Sequence, residues 1–405
     1  MEAVELFAGG GGLGLGLALA GFKAKRVVEW DAWACETLRE NQMRGFPLLA
    51  GWDVKQSDVR CVQWDDIAVG LPLVAGGPPC QPFSMGGKHR AHDDSRDMFP
   101  TSVEVVRRLQ PQAFIFENVK GLTRSAFANY FQYIQLQLRL PTRPRLPHET
   151  WTEHLARLQR ENAEGRVHRQ ELSYNVSATL VNAADYGVPQ KRERVFMVGF
   201  RSDLGARWSF PAPTHSALAL AHAQWESGAY WERHRLPRGV KPERPAAPRT
   251  ARTQAQTELL GLKPWRTVRD ALCDLPDPRS AAAAAIPDHR FQPGAKAYPG
   301  HTGSPLDQPA KAIKAGDHGV PGGENMAVLD DQSVRYFTVR ETARLQTFPD
   351  RYVFHGSWTE TMRQLGNAVP VALARQVGAS VMQSLIEVQL RRIPRVQEDL
   401  RRYRA

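Results

Sequence analysis

The sequence predicts an α/β protein, with a mainly parallel, doubly wound sheet in one large domain and a smaller, irregular domain late in the chain. Short apolar runs alternate with amphipathic stretches through residues 1–200, and alternating strands and helices build parallel sheets. A glycine-dense turn follows the first of these runs, where such sheets pass into a helix N-terminus. From about Ser202 the rhythm stops and Pro and Arg become frequent, so a second unit with long loops is expected.

Taken in order, residues 4–7, 25–29, 71–75, 113–116 and 195–200 are apolar runs of strand length. Between them, residues 98–109 and 130–140 have helical spacing, and the polar stretch 149–164, after the Pro-rich PTRPRLP, reads as an inserted, peripheral surface helix. Residues 233–252 hold seven Lys/Arg against one Glu, and a short alanine run occupies 281–285. Helical character returns at 338–346. It returns again after Pro370, which suits the first turn of a helix running towards Leu390. The expected division is 1–203 with 366–405 as the large domain, 204–335 as the second, and 336–365 as the hinge between them. No internal repeat is evident.

A chain of 405 residues with 42% hydrophobic content can bury a large core. Cys35, Cys61, Cys80 and Cys273 show no metal-type spacing and no dense framework, so neither a zinc site nor a disulfide scaffold is expected, and a reducing cytoplasm is. The chain enters an apolar strand pattern without a basic leader, and its glycine-laden apolar stretch is too interrupted to span a membrane. The net charge of +11 favours a polyanionic partner, although an Arg-rich composition alone can make a chain basic.

In FAGGGGLGLGL, Gly9, Gly11 and Gly14 satisfy GxGxxG, which lets backbone amides at a helix N-terminus approach a ligand closely. Glu29, at the end of the second strand, can accept from ribose hydroxyls, an arrangement that suits NAD equally. Trp30 can stack on an adenine or pack at a rim, and Asp58 in SDVR can accept from an exocyclic amine or cap a turn. In GGPPCQPFS, two glycines end a strand and two prolines hold the next segment extended, which displays the Cys80 thiol as a nucleophile. FIFENVKG places Glu117 and Asn118 at a strand's carboxyl edge, where Glu117 can face Cys80 and, partly removed from water, keep its proton. In QKRER, Arg192 and Arg194 lie two apart, and strand periodicity puts both guanidinium groups on one face, able to clamp a phosphate or a base carbonyl.

In this order FAGGGGLGLG, EWD, SDV, GGPPCQPFS, ENVKG, QKRER, RETARLQTFPD and GNAVP resemble the successive signatures of the DNA (cytosine-5)-methyltransferase family of bacterial restriction-modification type. The resemblance covers residues 4–200 and 338 to the end of the last helix, and leaves 202–332 without a functional match. It implies a Rossmann-like, S-adenosylmethionine-dependent catalytic domain with a target-recognition domain. By it, Phe7, Gly9, Leu13, Glu29, Trp30, Asp58, Pro79, Asn367 and Val369 would contact S-adenosylmethionine, and Cys80, Glu117, Arg192 and Arg194 would surround the cytosine. The chemistry fits these residue types: a thiolate adding to carbon 6 makes carbon 5 nucleophilic, while an acid and a cation receive the charge arising on the ring. No metal is needed. Such a reaction requires the base rotated out of double-stranded DNA. Residues 84–99, with Lys88, His89 and Arg90, would close over DNA, and the recognition region would lie near 304–326, which includes Asp317 and His318. The resemblance further implies a cytoplasmic, nucleoid-associated monomer, with a cognate endonuclease acting on the same sequence without stable association.

Three rivals are set against this reading. A tRNA methyltransferase of the same fold would carry a Cys-Phe-Thr run, absent here. A non-catalytic DNA-binding homologue would lack the nucleophile or the cofactor loop. A nicotinamide oxidoreductase would leave PPCQ, ENV and QKRER unexplained.

Overall fold

A computed structural model describes residues 1–79, 97–164, 171–236, 261–315 and 325–391. The large sheet is built from β1 (Glu2–Leu6), β2 (Lys23–Glu29), β3 (Val54–Gln56), β4 (Leu73–Gly76), β5 (Ala113–Val119), β6 (Tyr174–Asn182) and β7 (Glu193–Arg201). Its strand order is β3-β2-β1-β4-β5-β7-β6. The first five strands run parallel, and β7 lies antiparallel between β5 and β6. The expected α/β class, with a mainly parallel doubly wound sheet, is what forms.

The helices follow in chain order as α1 (Gly12–Leu19), α2 (Ala32–Met43), α3 (Phe99–Leu109), α4 (Ala128–Arg139), α5 (Trp151–Ala163), α6 (Ala217–Trp225), α7 (Ala229–His234), α8 (Val268–Leu272), α9 (Val339–Leu345), α10 (Trp358–Asn367) and α11 (Val371–Arg391). Side-chain alternation along the buried strands sends Val74, Phe114 and Phe116 to one face of the sheet, against Phe99, Val103 and Val106 of α3 and Ile134 of α4. The opposite residues Leu73, Ala75, Ala113 and Ile115 pack against Leu13 and Leu17 of α1 and Val377, Val381 and Leu385 of α11. Strands buried on both faces read as continuous apolar runs, which is why these were visible in the sequence.

The polar helix expected near 149–164 forms as α5. Thr150 and Glu153 cap it reciprocally, worth about 1 kcal/mol for such an N-cap. It docks on α4 through Trp151, whose ring meets Tyr130 at 5.6 Å and Tyr133 at 5.8 Å.

Residues 336–365, expected as a connecting hinge, contribute to a buried cluster. Val339, Leu345, Tyr352 and Met362 share one buried cluster with Leu15 and Leu38 of α1 and α2, and with Val268, Ile313 and Ala327 from the late segment. That segment also carries a separate small cluster of Leu220, Ala223, Tyr230 and Trp231. Among the described residues no helix is long and apolar enough to cross a membrane.

Candidate active site

A cleft of about 620 Å³ opens at the carboxyl edge of β1, β2, β4 and β5. This is the edge where doubly wound sheets bind ligands, because the turns leaving parallel strands converge there. Phe7, Gly9, Leu13, Glu29, Trp30, Asp58, Pro79, Glu117, Arg194, Asn367 and Val369 all line it. Arg192 does not, and Cys80 lies outside the described residues, immediately after Pro79.

At the end of β1 the chain turns sharply through Phe7 and Gly9, with φ of 56° and 53°. Gly11 takes φ 86° as the cap of α1, and a Cβ on Gly12 would sit 2.3 Å from the Val369 carbonyl. Only a residue without a side chain lets α1 start against the turn that precedes α11. Glu29, leaving β2, ties the turn down. One oxygen accepts from Gly9 N at 2.7 Å, and the other from Trp30 N and Asp31 N at 2.8 Å each. Burial pushes this carboxyl's pKa up, and the three amides work against the rise by favouring the charged form.

Asp58 caps a short 3₁₀ turn through Arg60 N at 2.9 Å and pairs with the Arg60 guanidinium at 2.6 Å, which holds its carboxyl below the usual range. Trp30 stands 74% exposed at the rim, open to stacking.

These groups form a cradle for a nucleoside. Glu29 and Asp58 offer acceptor oxygens, Phe7, Leu13 and Val369 are apolar walls, and Trp30 offers an exposed ring face. The residues therefore fit an adenosyl group. The Gly9 amide, which would greet a pyrophosphate in a dinucleotide site, already donates to the Glu29 carboxyl.

Across the cleft, Gly76-Gly77 and the two prolines lead from β4 towards position 80. Asn118 Nδ2 donates to Pro78 O at 2.9 Å, and Met98 N donates to Pro79 O at 3.2 Å. Glu117 is 6% exposed, and a Cβ on Gly77 would come within 3.3 Å of its Oε2. Arg194 Nε lies 2.7 Å from Glu117 Oε1 in an ion pair whose N–H is not aligned as a hydrogen bond. Burial raises the Glu117 pKa, while the charges of Arg194 and Arg192 oppose the rise. The net direction is upward, which shifts the carboxyl towards its protonated form.

Arg192 departs from the expectation that both arginines share one face on the target. Strand β7 begins at Glu193, so Arg192 precedes the pleat. It is fully buried and donates to Ile313 O at 2.9 Å and to Gly366 O at 2.5 Å.

The structure also brings Arg363, Gln364 and Asn118 to the cleft wall. Arg363 pairs with Asp31 at 2.7 Å, and Gln364 accepts from Thr37 Oγ1 at 2.7 Å. The signal for the first two was their place just before GNAVP; for Asn118 it was adjacency to Glu117.

The model of a family described as C-5 cytosine-specific DNA methylase matches residues 1–139 and 167–383. The gap between the two spans contains α5. The type II methyltransferase M.AquIA of Picosynechococcus is 32% identical over 295 residues, 70% of this chain and 93% of that protein. M.NgoMIV of Neisseria gonorrhoeae, also a type II methyltransferase, is 29% identical over 392 residues, 95% of this chain and 97% of its own. Among solved structures, a DNA modification methyltransferase encoded within an E. coli prophage superposes with a TM-score of 0.54 at 22% identity, over 95% of this chain and 99% of that one. S. pombe Dnmt2 methyltransferase gives 0.52 at 17%, over 96% and 99%. At these identities the two structures speak to fold.

Proposed function

This chain belongs to the C-5 cytosine-specific DNA methylase family, and we propose that it methylates an extruded cytosine through a transient bond between Cys80 and carbon 6, as the modifying half of a type II restriction-modification system. It is a DNA (cytosine-5)-methyltransferase, and its methyl donor is S-adenosylmethionine. The observation that carries the mechanism is the placement of buried Glu117 across Gly77 from the turn that leads to Cys80, in the same cleft as the nucleoside cradle.

The Cys80 thiolate adds to carbon 6 of the target ring. Glu117 gives its proton to ring nitrogen 3, and Arg194, held against Glu117, engages the carbonyl at position 2. Electron density then rests on carbon 5. When bound, S-adenosylmethionine supplies the methyl group to that carbon and leaves as S-adenosylhomocysteine. Loss of the carbon 5 proton to a water expels the Cys80 thiolate and restores the ring, and Glu117 recovers its proton from nitrogen 3. Cys80 suits both steps because a thiolate is a good nucleophile and a good leaving group.

On the donor side, Glu29 would accept from the ribose hydroxyls and Asp58 from the adenine amine. Trp30 would stack on the adenine, and Phe7, Gly9, Leu13, Pro79, Asn367 and Val369 would shape the remaining wall. Residues 204–335 read the DNA sequence. The relatives named type II methyltransferases support a restriction-modification setting, with a cognate endonuclease acting on the same site. A cytoplasmic monomer is part of the same proposal.

Expression in a methylation-free host, followed by bisulfite sequencing, tests the reading. One short DNA motif carrying 5-methylcytosine is expected, and Cys80→Ala abolishes the mark. Methyl transfer to tRNA with none to DNA would overturn the reading.

A further inference from the structure

Resting on the reading of the cleft as a donor site, we infer that Arg192 is a positioning residue. It bridges Ile313 O and Gly366 O and so fixes the cofactor-contacting turn at Asn367 against segment 310–315 of the late region.

Three stretches meet at this arginine. Segment 310–315 is joined to the lead-in of β7 by Ala310 N to Pro189 O at 2.9 Å and Lys191 N to Ala310 O at 2.8 Å. Both backbone groups of Ile313 are held by side chains from that lead-in. Its N–H donates to Gln190 Oε1 at 3.0 Å, and its carbonyl accepts from Arg192. The third stretch is the last turn of α10, where carbonyls lack partners within the helix and a cation is favoured. Gly366 lies so close to the segment that a Cβ on it would stand 2.3 Å from Ala315 N. The next residue, Asn367, lines the cleft.

The arrangement is costly. Arg192 is fully buried, its Nε has no hydrogen-bond partner, and among the described residues no carboxylate is in ion-pair contact with it. A fold needing only a filler would do better with an apolar chain, because a buried unpaired cation is destabilising. A guanidinium is required where one group must reach two carbonyls in different stretches with fixed geometry. Arg194, two residues on, faces Glu117 instead. Neighbouring arginines of one motif thus serve the two halves of the cleft, one the target and one the donor.

The test is calorimetric titration of S-adenosylhomocysteine into the full chain without DNA, for wild type, Arg192→Met, Arg192→Lys and Arg194→Met, with melting temperatures and turnover on duplex DNA measured alongside. Arg192→Met should bind about tenfold more weakly, the size expected when a charge-assisted hydrogen bond is lost. Arg192→Lys, which keeps the charge but reaches one carbonyl, should recover part of that. Arg194→Met should bind within about twofold of wild type while its turnover falls. If Arg192→Met or Arg192→Lys binds like wild type and loses only turnover, the arginine acts on the target base and the inference is overturned. A lowered melting temperature with unchanged binding also overturns it, as a purely structural role. If Arg192→Met does not fold, Arg192→Lys alone decides. Wild-type chain that fails to bind S-adenosylhomocysteine would instead defeat the donor-site reading.

Discussion

Replacing Glu117 by Gln keeps the size of the side chain and its ability to donate a hydrogen bond, but removes the proton that the mechanism moves. The carboxyl is 6% exposed with Arg194 at 2.7 Å, so burial and the adjacent cation are its dominant surroundings. General acid catalysis contributes about 10²–10⁴-fold. Because the amide still hydrogen-bonds nitrogen 3, the expected loss of turnover is about 10²–10³-fold, or about 3–4 kcal/mol of barrier. Because Glu117 acts as a protonated acid, the Gln carbonyl takes the place of the acid's carbonyl against the Arg194 guanidinium, and the substitution should cost only about 1 kcal/mol of stability. Single-turnover transfer of labelled methyl to a duplex, well below the melting temperature, separates the two effects. A second readout is pH. Wild-type turnover needs Glu117 protonated, so it declines as pH rises through this raised pKa, and the variant loses that decline. A variant within about threefold of wild type, with the alkaline decline intact, would refute the role of the acid.

The remaining expectations concern the donor cradle and the fold. Glu29→Ala removes the tie on Gly9 and the ribose acceptor together, and should weaken S-adenosylhomocysteine binding about 10–100-fold by calorimetry; unchanged affinity would contradict the assignment. Gly12→Ala would place a methyl 2.3 Å from the Val369 carbonyl, a backbone atom that cannot swing away, and should cost about 1–3 kcal/mol in urea unfolding, where an unchanged midpoint would deny the close approach. His154 is buried on α5, bonded to Tyr133 Oη at 2.9 Å and to Arg143 O at 2.9 Å, and burial lowers its pKa. Because the unfolded imidazole, near pKa 6.5, binds the proton more readily, stability should fall as pH drops below about 6.5. His154→Gln should flatten that part of the urea-midpoint profile, and an unaltered slope would count against it.

The residues that line the cleft were more legible in the sequence than the bounds of every fold element. Strand β4 and the first four residues of β5 are continuous apolar runs, and β1, β2 and β7 hold shorter buried apolar segments, whereas β3 is three residues of an edge and β6 is an edge strand whose residues are mostly half-buried, so neither carries a strong pattern. Helix α2 escaped notice because its buried positions include Cys35, Thr37 and Asn41 as well as Leu38. The residues of the cleft were visible because turns at strand ends need unusual types: glycines, paired prolines, an acid beside an asparagine. Arg192 does not share the cleft with Arg194 for one reason. Period-two reasoning holds only inside a strand, and the pleat begins one residue later. The burial of Leu345 and Tyr352 with α1 and α2 was not legible either, since only packing reveals it.

The central claim is a covalent bond between Cys80 and carbon 6, and a duplex carrying 5-fluorocytosine at the target position tests it most directly, because fluorine cannot leave carbon 5 as a proton does. In the presence of S-adenosylmethionine, a stable protein–DNA adduct should accumulate, mass spectrometry of its peptides should place the oligonucleotide on Cys80, and Cys80→Ala should form none. Full methylation of ordinary cytosine with no adduct on the fluorinated duplex, or an adduct on another residue, would contradict the account.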